Sequence, residues 1–225
     1  MSIRQRSRAL AVFVLTSMVC VAVTRAETPP AGFTPAFNGK DLSGWHGEAT
    51  MDPVKRAALP AEELAKKQAA EQEDALKHWR VDANGDLVND GGGVYLTTDK
   101  HYGDIELLID WKLVPKADSG VYLRGAPQVQ IWDPTDPGKV KAGGDKGSGG
   151  LWNNSVGKSG KDPLVAADRP AGEWNRFRIQ QIGDKTTIHL NDKLVVDNAT
   201  MENYWDRKRP LYATGPIQLQ THGGE

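Results

Sequence analysis

The sequence predicts an all-β protein, an antiparallel β-sandwich carrying one inserted surface helix. Three observations carry this. Short segments of alternating apolar and polar residues recur from Trp79 to the end of the chain, the period-two signature of half-buried strands. Turn formers separate them: 24 Gly and 13 Pro suit many chain reversals better than a helix bundle. Only one stretch, 60–77, is dense in helix formers. At 225 residues the chain can bury one sizeable core and is marginal for two.

Taken in order, residues 27–31 form a Pro-rich lead-in. Gly32-Phe33-Thr34-Pro35-Ala36-Phe37 reads as a short strand and Asn38-Gly39 as a turn; Asp41-Leu42-Ser43-Gly44 reads as a second turn that presents Trp45. Pro60 suits a first helical position, and Glu62 and Glu63 the positive end of a helix. The apolar residues that follow are mostly Ala, so the core-facing stripe is thin and the helix is expected on the surface. A lid over a site is the alternative, with no particular residue to support it.

Residues 79–82 and 87–92 then read as a hairpin around Ala83-Asn84-Gly85-Asp86, a better account of this acidic turn than a calcium loop, whose full spacing and terminal Glu are missing. Strands are expected at 94–98, 102–112, 120–124 and 128–132. A long Gly- and Lys-rich stretch occupies 134–163, where Lys139, Lys141 and Lys146 read as a solvated loop. Further strands follow at 174–181, 186–190, 193–197 and 217–222.

Arg4, Arg6 and Arg8 precede an apolar run over 10–23, and Thr24-Arg25-Ala26 resembles a cleavage site. Residues 1–26 are therefore expected to be a secretory signal and 27–225 a single exported domain, periplasmic or extracellular. The run is shorter than the ~20 residues a membrane span needs, so no membrane association is expected once the signal is removed. A lipoprotein signal would need small residues just before Cys20, where Met18 and Val19 stand. Cys20 is the only cysteine and lies within the signal, so the mature domain lacks disulfides, thiolate metal sites and a cysteine nucleophile. A net charge of -1 gives no cationic excess for nucleic acid. Oligomeric state leaves no trace in the sequence.

Strand parity is the most informative pattern. In the last strand Gln218, Gln220 and His222 share the face opposite Ile217 and Leu219. Gln128, Gln130 and Trp132 lie opposite Val129 and Ile131, and Gly120, Tyr122 and Arg124 opposite Val121 and Leu123. Asp104, Glu106 and Asp110 alternate with Ile105, Leu107, Ile109 and Trp111. Planar amides and guanidinium groups offer paired donors and acceptors that match sugar hydroxyls, and aromatic rings stack on the apolar faces of sugars. For any single strand an exposed sheet face explains the pattern; four strands together point to a carbohydrate-binding surface.

Several segments resemble the 3-keto-disaccharide hydrolase domain family. They are Phe37-Asn38-Gly39-Lys40-Asp41-Leu42-Ser43-Gly44-Trp45, Tyr102-Gly103-Asp104-Ile105-Glu106-Leu107, Asp118-Ser119-Gly120-Val121-Tyr122-Leu123-Arg124-Gly125, Gln128-Val129-Gln130-Ile131-Trp132-Asp133, Gly149-Gly150-Leu151-Trp152-Asn153-Asn154, Gly172-Glu173-Trp174-Asn175, Leu190-Asn191-Asp192-Lys193-Leu194-Val195-Val196-Asp197 and Gly215-Pro216-Ile217-Gln218-Leu219-Gln220-Thr221-His222-Gly223-Gly224. The resemblance spans about residues 32–225 and implies a jelly roll of the concanavalin A-like lectin/glucanase type. Two departures accompany it. The helix-rich 50–78 segment is an insertion, and the family continues past His222-Gly223-Gly224-Glu225 into a final strand, whose absence would leave a sheet edge unpaired.

The resemblance implies an exported hydrolase that acts on 3-keto-glycosides. A 3-keto group acidifies the hydrogen on the neighbouring carbon, so the glycosidic bond can break by proton abstraction and elimination, with water adding afterwards. This needs a base and a donor for the developing enolate oxygen. His222, Glu106 and Asp110 are the candidate bases or acids. Arg124, Gln130 and Gln220 are the candidate donors. His222 comes first because imidazole titrates nearest neutrality; a structural imidazole in the Thr221-His222-Gly223 turn is the competing account. Glu106 and Asp110, four residues apart on one strand face, would lie roughly 13 Å apart, too far for a glycosidase carboxylate pair at about 5–9.5 Å.

Tyr122, Gln128, Gln130, Trp132, Asp133, Gln218 and Gln220 are the expected substrate-binding residues. Trp152 and Asn153 either cap a sugar or anchor their loop. No cofactor is read from the sequence: a divalent metal ion is the one candidate, as an enolate stabiliser, and His101, His189 and His222 are isolated from one another along the chain. The expected partner is a carbohydrate. The alternative to an enzyme is a non-catalytic carbohydrate-binding module of the same fold. A purely structural sandwich would have no sugar affinity at all.

Overall fold

The computed structural model describes residues 29–125 and 127–222. In chain order the elements are β1 (Trp45–Glu48), α1 (Pro53–Ala57), α2 (Ala61–His78), β2 (Trp79–Val81), β3 (Leu87–Asn89), β4 (Tyr95–Thr98), β5 (Ile105–Trp111), β6 (Asp118–Leu123) and β7 (Gln128–Trp132). Two 3-10 turns follow (Pro137–Ala142 and Gly144–Lys146), then β8 (Asn175–Ile182), β9 (Lys185–Leu190), β10 (Lys193–Thr200) and β11 (Ile217–Leu219). The expected signal segment lies outside the described residues, as does any strand beyond residue 222.

Two antiparallel sheets face each other. One has the order β1-β4-β11-β6-β7 and the other β10-β9-β8-β5. The last described strand is thus interior, paired with β4 on one flank and β6 on the other. Among the described residues β5 pairs with β8 alone. Val121, Leu123, Val129, Ile131 and Ile217 from the first sheet meet Trp111, Phe177, Ile179, Ile188, Leu190, Val195 and Val196 from the second. In β5, β6, β7 and β11 these are the positions that strand parity assigned to the apolar face; in β10 the neighbours Val195 and Val196 are both buried, in a strand whose register shifts against β9.

A second part of the core lies at the β1–β4 side of the first sheet. There the helical insertion closes the core: Trp45, Ala75, Trp79 and Leu96 form a second apolar cluster. The helix does more than decorate the surface. Gln72 Oε1 accepts from Gly47 N–H at 3.0 Å and Glu71 Oε1 from Ala49 N–H at 3.0 Å. These bonds occupy donors along the edge strand β1 that would otherwise invite pairing with another chain. Gly47 permits the approach, since an added Cβ would lie 2.2 Å from the Glu71 carbonyl oxygen.

Two expectations need correction here, and one element went unforeseen. Residues 32–37 form turns and irregular chain, not a strand; Trp45 opens β1, and its indole N–H donates to Ala36 O at 2.9 Å. Pro60 is the N-cap rather than the first helical residue. A short helix, α1, precedes it, started by Pro53 with the Asp52 carboxylate accepting from Val54 N–H; five residues were too few for periodicity to reveal it.

Candidate functional site

The outward face of the five-stranded sheet is the polar one. Register places His46 beside Thr97, Thr97 beside Gln218, Gln218 beside Tyr122 and Tyr122 beside Gln128, forming one row. The next row runs from Glu48 and Tyr95 to Gly120 and Gln130, with Gln220 between them, its N–H donating to Gly120 O at 2.9 Å. Asp118 and Trp132 pair in the row beyond. This is not a solvated sheet face: Tyr122, Gln128, Gln130, Trp132, Gln218 and Gln220 are each at most 7% exposed. Six large polar or amphipathic side chains on one sheltered surface must satisfy one another or a ligand.

Much of the face does satisfy itself. Gln128 Nε2 donates to Gln130 Oε1 at 2.5 Å, and Gln130 Nε2 donates to Asp118 Oδ1 at 2.8 Å. Lys139 Nζ donates to Asp118 Oδ2 at 2.6 Å. The half-exposed imidazole of His222 lies at the same carboxylate, Nδ1 3.8 Å from Asp118 Oδ2, an ion-pair separation rather than a hydrogen bond. Across the sheet, Gln218 Nε2 donates to Glu48 Oε1 at 3.2 Å and Thr97 Oγ1 at 3.1 Å, and Gln220 Nε2 to the Tyr95 hydroxyl at 3.1 Å. Tyr95 and Tyr122 pack ring to ring, 5.4 Å between centroids. Burial, with Tyr95, Tyr204 and Asp118 nearby, pushes the Tyr122 hydroxyl far above its ordinary pKa, so it remains a protonated donor.

The structure divides the expected residues. Tyr122, Gln128, Gln130, Trp132, Gln218, Gln220 and His222 share the polar face. Glu106 and Asp110 do not join them. Their strand, β5, belongs to the other sheet, where Glu106 pairs with Arg178 at 2.6 Å and Asp110 with Arg176 at 2.6 Å on an exposed surface. Parity was right about which side of β5 is polar, but parity within a strand does not say to which sheet the strand belongs.

Arg124 also leaves the face. It follows the end of β6 with φ of 55°, and this left-handed residue breaks the alternation. Its guanidinium is buried, donating to Tyr212 O at 3.0 Å and Asp104 Oδ1 at 3.1 Å. Asp104 Oδ1 also accepts from Gly183 N–H in the β8–β9 turn, so Arg124 ties the two sheets together.

Asp133 is committed to its turn: its carboxylate accepts from Lys116 N–H and from the Thr135 N–H and hydroxyl. Burial alone would raise its pKa; these bonds win and hold it low. Trp132 is pinned by Nε1 donating to Gly147 O at 2.9 Å. Asn153 anchors its loop through Gln128 N–H, which donates to Asn153 Oδ1 at 2.9 Å. Trp152 is partly exposed, with Lys161 Nζ 5.1 Å from its ring centroid.

Asp118, Lys139, Tyr95, Thr97, His46 and Glu48 are the face residues that sequence reasoning missed. Asp118 has the parity of Gly120 and Tyr122 and could have been found by extending β6 two residues. Lys139 could not: it reaches Asp118 from a 3-10 turn in a long loop, so its reading as part of a solvated loop is corrected. Among the described residues no group of three or more His, Cys, Asp or Glu side chains gathers closely enough to hold a metal ion. No described helix is long and apolar enough to cross a membrane.

Fold and site together define a β-sandwich whose sheltered amide and aromatic floor is suited to a polyhydroxylated ligand. The chain belongs to the 3-keto-alpha-glucoside-1,2-lyase-like domain family, whose model matches residues 32–225, and this makes it a carbohydrate-active domain. Two solved structures from Parabacteroides distasonis ATCC 8503, both provisionally assigned as glycosyl hydrolases, share the fold. One has a TM-score of 0.53 at 20% identity, covering 66% of this chain and 84% of its own. The other has a TM-score of 0.53 at 21% identity, covering 85% and 88%. The carbohydrate-binding module CBM66 from Bacillus subtilis is more distant, with a TM-score of 0.41 at 12% identity, covering 63% and 81%. No curated protein matches the chain.

Proposed function

We propose that this protein is an exported enzyme that cleaves 3-keto-glucosides by elimination followed by hydration. One observation carries the reading: on the sheltered polar floor, Asp118 gathers a lysine, a glutamine and a half-exposed imidazole at a single carboxylate. Family membership supplies the substrate class, and the basic, apolar and cleavage-site segments over 1–26 support export.

In this reading His222 takes the hydrogen from the carbon between the ketone and the anomeric carbon. The released electron pair forms a double bond to the anomeric carbon as the glycosidic C–O bond breaks, and the departing oxygen acquires a proton. Water then adds across the double bond, so the net change is hydrolysis. Asp118 stabilises the imidazolium that forms. Lys139 Nζ and the Tyr122 hydroxyl are the donors on the face for the developing enolate oxygen.

Cleavage of a 3-keto-glucoside in heavy water tests this. Elimination and hydration predict a transient conjugated enone in the ultraviolet and deuterium at the carbon next to the anomeric centre, above that of an enzyme-free control. Release of sugar with neither signal would overturn the mechanism. A non-catalytic binding module is the second reading. It is favoured by the 3.8 Å gap between His222 and Asp118, which leaves the base without a closed hydrogen bond to its orienting group. Saturable binding without turnover would decide for it.

A further inference from the structure

Gly120 lies in the interior of a central strand, where glycine costs stability and adds no packing. Its φ is not in the left-handed region, so backbone conformation does not demand it. Space does: an added Cβ would lie 2.5 Å from Gln128 Oε1 and 3.1 Å from Gln220 Oε1. Two amide oxygens therefore converge over this one Cα from the strands on either side.

Neither oxygen has a hydrogen-bond partner, and both are buried; the residues that carry them are 4% and 7% exposed. The orientation of Gln128 is locked by its neighbours. Asp118 accepts only, so Gln130 must turn its Nε2 toward it, which leaves Gln130 Oε1 to accept from Gln128 Nε2 and directs Gln128 Oε1 over Gly120. Gln220 spends its Nε2 on Tyr95. Buried acceptors without a donor carry a desolvation penalty until one reaches them.

We infer that Gln128 Oε1 and Gln220 Oε1, converging over Gly120, form a hydroxyl-reading subsite that takes one O–H group of the sugar. This rests on the proposal that the polar face binds carbohydrate. The terminal torsion of a glutamine is soft, so a small rotation presents each oxygen to the ligand. The subsite has a stated polarity. It takes a hydroxyl and rejects a carbonyl, which has no proton to offer, so the keto oxygen of a substrate must be met elsewhere on the face, where Lys139 and Tyr122 supply donors.

The test is equilibrium binding of methyl α-glucoside and its monodeoxy analogues to the wild type, Gln220→Met and Gly120→Ala, with cleavage of a 3-keto-glucoside assayed separately. The wild type should disfavour one monodeoxy analogue by about tenfold or more, because a buried acceptor loses its donor. Gln220→Met should abolish that preference, and Gly120→Ala, which fills the gap, should weaken the parent glucoside selectively. Equal binding of all analogues by the wild type overturns the subsite, and needs no variant to fold. So does a preference that survives in a folded Gln220→Met. Preference without turnover supports the subsite and removes the enzyme reading; turnover without preference does the reverse.

Discussion

Arg56 Nη2 lies 2.6 Å from Glu71 Oε2, and both side chains are less than a tenth exposed. The same guanidinium reaches Glu48 Oε2 through Nε at 3.1 Å, and Glu48 Oε1 accepts from Gln218 on the polar face. The inserted helices are thereby wired to the floor of the site. Arg56→Met should leave Glu71 a buried, half-compensated charge and destabilise the fold by about 3–5 kcal/mol, read as a loss in thermal or urea stability.

The same pair gives an acid limb. Burial works to raise the Glu71 pKa, but Arg56, the Ala49 N–H and Lys67 win and hold it below the ordinary carboxylate range. A lowered folded-state pKa stabilises above the unfolded value and is lost as pH falls through the folded one. The wild type should therefore lose stability on acidification more steeply than Glu71→Gln, whose urea midpoint should change less over the same acid range.

His46 predicts the opposite slope. Glu48 first, opposed by desolvation and helped by Asp99, raises its pKa above the ordinary 6.5. A raised value stabilises fully below the unfolded pKa and is lost as pH rises through the folded one. The difference in melting temperature between wild type and His46→Gln should be largest below the ordinary value of 6.5 and shrink as pH rises above it.

Glu106 and Asp110 show what strand parity can and cannot do. Alternation found both as solvent-side residues and found Gln128, Gln130, Gln218 and Gln220 as well, since each question concerns one strand. Which strands share a sheet depends on pairings between residues as distant as Thr97 and Gln218, a non-local fact that periodicity does not carry. Arg124 was misread because one left-handed residue ends the alternation, and Lys139 because a loop lacks any period. The helical insertion was legible from composition; its role in closing the β1 edge was not, because it depends on Gly47 having no side chain.

The placement of β5 makes a plain prediction. Glu106→Gln and Asp110→Asn, each in an exposed pair on the outer face of the other sheet, should leave sugar binding and any turnover within about twofold of wild type. A large loss of activity with the fold intact would mean that the outer face takes part.

Gly47→Val should unseat α2. Its Cβ would collide with the Glu71 carbonyl oxygen and, at 2.7 Å, with Ala75 Cβ, neither of which can swing aside. The expected result is a loss of several degrees in melting temperature and faster proteolysis within 61–78, with the four-stranded sheet unaffected in hydrogen exchange.

The most direct test of the account compares wild type with His222→Ala, measuring both release of free sugar from a 3-keto-glucoside and equilibrium binding of the same compound. The account predicts turnover by the wild type, a loss of at least about a hundredfold in the variant, and binding within a few-fold in both. Equal turnover by the two proteins would contradict it and leave His222 a structural residue of its turn.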